Sequence, residues 1–325
     1  MRALVQRSRR GPKDLTLAPD QSCPKPGPGE YLIRVGAAGV NFADVMQTHG
    51  SYEGGPMAPY VAGFEAAGEI VGFGPDIASP LQLGTRVIGV GRGAFAQYMT
   101  MPAVGARPVP SGWSDAAALG LVLNWATATA ALKPLGKTRP GETVLVHAAA
   151  GGVGQAAVRL ARHYGARVIA TASPAKHDIV KALGADHVLD SRRPDLAAEV
   201  ARLTGGVDVV LESVGHATLK ISLAAAKPFI GRVVVFGAAS GDTSVSTHDL
   251  VFDHQVQIKG LHIGALASAV PSLYQSLLVE LDGLIALGVY PPGNPHVHAL
   301  AAGSSVLRQL ESGRSSGKHA LDPWR

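Results

Sequence analysis

Three short stretches carry residue types that could do chemistry. The first is HAAAGGVGQAA (147–157), where Gly151, Gly152 and Gly154 follow three alanines. Side chains this small let the backbone turn sharply and approach a pyrophosphate. A helix starting near Gln155 would aim its N–H groups and positive dipole end at that anion. A glycine triplet alone also serves ordinary turns. Between a strand and a helix of a β–α–β run, Gly151, Gly152, Val153 and Gly154 read as a dinucleotide loop. The second stretch is Ala172-Ser173-Pro174-Ala175-Lys176, closing the next apolar run. NAD-type sites put an acid there for the ribose 2′-hydroxyl. A hydroxyl donor, Ser173, and a cation, Lys176, fit a 2′-phosphate instead and predict NADPH. The plainer alternative is a solvated lysine at a helix start. The third stretch, GFEAAGE (63–69), crowds Phe64, Glu65 and Glu69 among residues with almost no side chains. Taken alone it is open to two readings, an active site or scaffolding.

These stretches need elements to hold them. Residues 1–122 are full of short strand-like runs cut by Gly and Pro, such as RALVQ (2–6), YLIRVGAAGV (31–40) and GTRVIGVG (84–91). That is the patterning of a β-rich module. SDAAALGLVLNWATATAALKPL (114–135) predicts a helix, with Ser114 and Asp115 as its cap. From Glu142 apolar strands alternate with helices: ETVLVHA, QAAVRLARHYG, RVIATA, AKHDIVKALG, HVLD, VDVVLESV and GRVVVFGA. Such alternation predicts a doubly wound parallel sheet and an α/β fold. A long helix is expected over 271–288. LKPLGKT (132–138) ends like a phosphate-binding NTPase loop, but it has Ala131 for the first glycine and a helix, not a strand, before it.

Composition narrows the classes further. The chain has 325 residues, which suggests two domains, and 46% of them are apolar, enough to bury real cores. A net charge of +5 favours anionic ligands. No basic run with interleaved aromatics marks a nucleic-acid surface, so no nucleic-acid partner is expected. Cys23 is the only cysteine, which excludes an internal disulfide and any multi-cysteine metal site. The N-terminus MRALVQRSRR lacks the apolar core of a signal peptide, and no apolar stretch is expected to span a bilayer. The reading is a cytoplasmic protein with no membrane partner.

As a whole the chain resembles the medium-chain dehydrogenase/reductase superfamily, in its zinc-free quinone oxidoreductase (zeta-crystallin-like) branch. The resemblance rests on PGPGEYLIRVGAAGVNFADVMQTHGSY, GFEAAGEIVGFG, GAFAQYMTMPA, PGETVLVHAAAGGVGQAAVRLA, GADHVLD and LESGRSSGKHAL, in that order. It implies a GroES-like catalytic domain over 1–122 and 264–325, a Rossmann NADPH-binding domain over 123–263, and a homodimer. Zinc-dependent relatives carry a His ligand where this chain has Phe64 and a Cys ligand where it has Asn41. No metal is therefore expected, and HVH (296–298) reads as an exposed loop. An enzyme without that Lewis acid suits acceptors already primed for hydride, such as quinones and α,β-unsaturated carbonyls.

By the same resemblance Asn41 lies beside the nicotinamide ribose or the substrate. Tyr52 donates to a substrate carbonyl, and Thr127 meets the nicotinamide end. Val214, Phe236 and Gly237 end strands where the nicotinamide crosses the sheet edge, and Arg314 reaches the adenine phosphate. Plain packing would account equally for Tyr52, Thr127 and the apolar strand ends. Asp44 is expected to orient backbone or neighbouring side chains, and Glu65 to support the site from behind. Where family members often carry an aromatic ring this chain has Ser191, followed by Arg192. Asn124-Trp125 and Gly54-Gly55 are unusual and are expected to shape substrate choice. Two alternatives stay open: an enoyl-thioester reductase of polyketide type, and a non-catalytic NADPH-binding protein with a structural or RNA-binding role.

Overall fold

The computed structural model describes residues 1–78 and 80–325. The chain divides into two compact units, Met1–Val122 with Pro292–Arg325, and Leu123–Pro291. The first begins with β1 (Ala3–Gln6), β2 (Leu15–Ala18), β3 (Glu30–Val40) and α1 (Phe42–His49). It continues through β4 (Tyr60–Val61), β5 (Glu65–Phe73), β6 (Arg86–Val90), β7 (Tyr98–Pro102), β8 (Arg107–Pro108) and α2 (Asp115–Ala118). Strands β2, β1 and β4 make a small antiparallel sheet. In a larger one β3, β5, β6 and β8 lie side by side, with β7 also paired to β3. Alternate residues of β3 (Tyr31, Ile33 and Val35) point into a core shared with Phe95, Met99 and Met101. This is the period-two burial that a sheet with one covered face requires.

The second unit runs α3 (Ala126–Ala130), β9 (Thr143–Val146), α4 (Gly152–His163), β10 (Arg167–Ala172), α5 (His177–Ala182) and β11 (His187–Asp190). Then come α6 (Leu196–Thr204), β12 (Val209–Glu212), α7 (Leu219–Ala225), β13 (Arg232–Val235), β14 (Gln257–Gly260), α8 (Ile263–Ala269) and α9 (Pro271–Ala286). Its six strands are parallel in the order β11-β10-β9-β12-β13-β14. This is the doubly wound arrangement, in which ligands bind outside the carboxyl ends of the strands. Strands β9 and β12 are buried at every position, as a sheet covered on both faces demands.

Four expectations need correcting. The helix predicted over 114–135 is broken. Gly120, at φ 93°, interrupts it after α2, and π-turns at Leu121–Trp125 and Ala131–Leu135 flank α3. The second holds Pro134, which has no N–H to continue the ladder. The stretch Asp115–Leu135 is also long and apolar enough to cross a membrane by length and composition. However, 72% of its most apolar window is buried inside the protein, as in a core helix.

The third correction concerns where the chain returns to the first unit. It does so at Pro292, not near residue 264. Helix α9 buries Tyr274, Leu277, Leu278, Leu281 and Leu284, and both α8 and α9 pack on α3, which ties 264–291 to the second unit. The return supplies β15 (His296–Ala299), α10 (Gly303–Glu311) and β16 (His319–Asp322). Strand β15 pairs parallel with β16, and β16 pairs antiparallel with β3. HVH is thus a strand, not a loop.

Candidate active site

In the first unit buried polar groups gather around Asn41. Strands β16, β3 and β5 are neighbours, with Gly39 opposite Glu65 and Val40 opposite His319. That register brings positions 41, 65 and 318 together from distant parts of the sequence. Glu65 is wholly buried. Its Oε1 accepts the Gly120 N–H at 2.6 Å, and its Oε2 accepts Lys318 Nζ at 2.5 Å and Asn41 Nδ2 at 2.9 Å. Lys318 Nζ also donates to Asn41 Oδ1 at 2.6 Å. Gly39 makes room for this, since a Cβ there would lie 2.8 Å from Glu65 Cδ.

Asn41 caps α1, and its N–H donates to Asp44 Oδ2 at 2.8 Å, the return arm of a capping box. Asp44 is 2% exposed, and its Oδ1 has no hydrogen-bond partner among the described residues. Burial pushes its carboxyl up to about 8. The Asn41 N–H and Lys318 pull it down, and Glu65 adds to the rise. Tyr52 lies in the turn after α1, half-buried, and burial followed by the Asp44 charge raises its phenol. The Tyr60 phenol is raised by the same two causes, and its buried Oη has no partner among the described residues. Asn41 and Tyr52 therefore share the surroundings of Asp44.

These residues do not fit a catalytic zinc. Phe64 offers no donor atom, and the Asn41 amide is bonded at both its nitrogen and its oxygen. His298 Nε2 and His319 Nδ1 lie 3.1 Å apart, with the His296 ring 5.3 Å from that of His319. Even so, no group of three or more His, Cys, Asp or Glu among the described residues is placed to hold a metal ion. Burial, then His298, His296 and Lys318, lower His319 to about 4.

In the second unit the groups of interest cluster where the parallel strands end. Gly151 caps α4, and Gly152, Val153 and Gly154 form its first turn. A Cβ on Gly154 would lie 2.6 Å from Ala149 Cα, so only glycine lets the loop close on the helix. A Cβ on Gly152 would lie 3.2 Å from the carboxamide carbon of Asn124, which is buried against the start of α4. Thr127, also buried, follows one turn later in α3. At the end of β10, Ser173 opens a short turn that carries Lys176. The Ser191 N–H donates to Ala172 O at 3.0 Å, setting the start of the next loop beside that turn. Burial and then the Arg192 charge lower Lys176. Two cations thus adjoin where a 2′-phosphate was expected.

Beyond β12 and β13, Val214 and Phe236 are held by Glu212, a fully buried carboxylate that the sequence reading passed over. Its Oε1 accepts the N–H groups of Val214 and Gly215 and the Thr218 hydroxyl, at 2.7, 3.0 and 2.8 Å. Its Oε2 accepts Ser222 Oγ at 2.5 Å, and its backbone carbonyl accepts the Phe236 N–H at 2.8 Å. The signal was available: Glu212 is an acid at the end of the apolar run VDVVLE. Gly237 is needed because a Cβ there would meet Ser213 O at 2.7 Å. Arg314 belongs to the first unit, is exposed, and donates from Nε to Ser312 Oγ at 3.0 Å. Lys318, four residues further on, was also missed.

A GroES-like β unit and a doubly wound nucleotide unit in one chain define a dehydrogenase/reductase. Residues 27–111 match the alcohol dehydrogenase GroES-like domain, and residues 152–280 match the zinc-binding dehydrogenase family. The chain belongs to the medium-chain dehydrogenase/reductase superfamily, in its zinc-free quinone oxidoreductase family. The quinone oxidoreductase of Pseudomonas syringae superposes with a TM-score of 0.91 at 31% identity, over 99% of this chain and 100% of that one. The Escherichia coli quinone oxidoreductase, solved with NADPH, gives 0.92 at 27% identity with the same coverage. The human synaptic vesicle membrane protein VAT-1 homolog is 32% identical over 92% of this chain and 80% of its own length. A mycocerosic acid synthase-like polyketide synthase of Mycobacterium tuberculosis is 34% identical over 91% of this chain, which spans 14% of that protein.

Proposed function

We propose that this protein is an NADPH-dependent, zinc-independent reductase of quinones and α,β-unsaturated carbonyl compounds. The carrying observation is the Asn41–Glu65–Lys318 network, in which Asn41 stands where zinc-dependent relatives carry a Cys ligand and is held by hydrogen bonds instead. Such a site can orient an acceptor and meet developing charge on its oxygen. Phe64 and the fully bonded Asn41 amide offer no ligands for a metal that would lower an alcohol's pKa, so acceptors that already delocalise the incoming electron pair suit it best.

NADPH, when bound, supplies the hydride. Gly151, Gly152, Val153 and Gly154 would receive its pyrophosphate at the N-terminus of α4, as the close approaches at Gly152 and Gly154 favour. Ser173 and Lys176 would hold the 2′-phosphate. Thr127, Val214, Phe236 and Gly237 would line the nicotinamide end, and Arg314 is kept as a candidate for the adenine phosphate. Asn41 and Tyr52 would bind the acceptor, with Tyr52 donating to its oxygen. NADPH-bound relatives support the cofactor.

Polyketide synthase relatives, and the likeness to the CurK enoyl reductase (TM-score 0.87, 31% identity), favour enoyl thioesters as the second substrate class. A homodimer is supported by β14, an exposed edge strand, and by the exposed Phe229, Ile230, Val251 and Phe252. The function is tested by following NADPH oxidation with phenanthrenequinone, a simple enone and an enoyl-CoA. Turnover with the first two is expected. Binding of NADPH without turnover on any of the three would overturn the enzymatic reading.

A further inference from the structure

A primary ammonium has three N–H donors and a carboxamide has two, so the side-chain bonds of the buried network can be counted. Lys318 Nζ donates to Glu65 Oε2 at 2.5 Å and to Asn41 Oδ1 at 2.6 Å. Its third N–H has no partner among the described residues. Asn41 Nδ2 donates to Glu65 Oε2 at 2.9 Å and, more weakly, to Gly39 O at 3.4 Å. An ammonium cannot accept and a carboxylate cannot donate, so the Asn41 amide is fixed with its oxygen toward Lys318. Both of its N–H groups are then committed to the protein. Glu65 is wholly buried, whereas the Lys318 side chain keeps 14% of its surface exposed. Among these three side chains, the N–H still to be given belongs to a cation that its other two bonds hold in place.

We propose that Lys318 is a catalytic residue of the reduction, giving this third N–H to the acceptor's carbonyl oxygen as that oxygen becomes anionic. This rests on the reductase reading above. Hydride adds with its electron pair to the β-carbon of an enone and forms a C–H bond. The C=C pair moves between the α-carbon and the carbonyl carbon, and the C=O π pair passes to the oxygen. The result is an enolate, which a proton from water converts to the ketone at the α-carbon. Lys318 keeps its three protons throughout. Its part is electrostatic: a donor already in place gains strength as charge reaches the oxygen, with no reorganisation needed at that moment. Glu65 shares its charge with the N–H groups of Gly120 and Asn41, which leaves the ammonium only partly compensated. Asn41 stands where zinc-dependent relatives carry a Cys ligand, so a cation bonded to it supplies positive charge that the metal supplies there. Glu65 acts through Lys318 as a positioning residue.

Lys318→Met alone strands a buried carboxylate, so the test pairs it with Glu65→Gln, which removes both charges together. About 10²-fold lower enone kcat is expected in the double variant, with NADPH affinity unchanged. An easily reduced quinone forms a less basic oxyanion and should lose only about tenfold. A merely structural role would slow both acceptors alike. Equal losses, or wild-type kcat in the double variant, overturn the inference. Binding of p-nitrophenol to the wild-type protein with NADP⁺ gives a readout without turnover, since its oxygen mimics that of the enolate and its colour reports ionisation. In a buffer acidic enough to keep the free phenol neutral, the bound form is expected to be the yellow phenolate. Binding as the neutral phenol overturns the proposal even if the double variant fails to fold. Failure of the reductase reading shows separately, as wild-type protein that consumes no NADPH.

Discussion

In the first unit the groups that matter are polar and ionisable side chains drawn from positions 41, 44, 65 and 318, held in a largely buried knot. In the second they are backbone N–H groups and missing side chains between 148 and 154, with two exposed or half-buried cations at a strand end. The first site is stable only while its charges stay matched. The second depends on space, and its wholly buried acid, Glu212, is satisfied by four neutral donors instead of a cation, although Asp208, also buried, pairs with Lys227 at 2.8 Å. Loss of a partner should therefore cost stability in the first unit and ligand affinity in the second.

The largest effect is expected from Lys318→Met, which leaves Glu65 buried without its cation. A destabilisation of ~3–5 kcal/mol by chemical unfolding is expected, against ~1–3 kcal/mol for Glu212→Gln, which disturbs neutral donors only. Equal costs would erase the distinction between the units. Next, Gly154→Ala drives a Cβ into the backbone of Ala149. It should weaken NADPH by more than ~10²-fold in a binding titration, because the loop can no longer close on α4. Lys176→Ala should cost NADPH about tenfold, roughly one charge-assisted contact, and leave NADH nearly unaffected. Matching losses for the two nucleotides would remove Lys176 from the 2′-phosphate. Tyr52→Phe should lower kcat about tenfold while sparing NADPH affinity.

The smallest effect concerns pH and stability. Asp44 has a folded pKa of about 8 against an ordinary 3.8, so it favours the folded state below that window and loses this stability as pH rises through it. His319 has a folded pKa of about 4 against an ordinary 6.5, so its contribution is full above 6.5 and is lost as pH falls toward 4. The two slopes oppose one another between about 4 and 6.5, leaving Asp44 alone above that range. Asp44→Asn should therefore flatten the decline in Tm between pH 6.5 and 8. An unchanged slope would show that Asp44 is ionised in the folded protein.

The same contrast explains what the sequence revealed. The glycine loop, the strand-end lysine and the parallel sheet are local, since each lies within one β–α–β run and carries its spacing with it. Glu65 was read as support for the site, and in the structure it accepts hydrogen bonds from Gly120, Lys318 and Asn41. Lys318 was invisible because it meets Glu65 only through the register of β16, β3 and β5, across a sequence separation of 253. Asp44 was legible as a helix-start acid that orients Asn41, but its charge state depends on counting the cations around it, which needs the fold. The early return placed at 264 failed because α9 is apolar on the face that packs on α3, a tertiary fact its composition did not announce.

The most direct measurement traces the two hydrogens of the reduction separately. An α,β-enone is turned over in ordinary water with NADPH dideuterated at the nicotinamide C4, and the product is analysed by NMR. One deuterium at the β-carbon and none at the α-carbon is the predicted result, with the second hydrogen arriving as an unlabelled proton. Deuterium on the carbonyl carbon, or none in the product, would contradict the account.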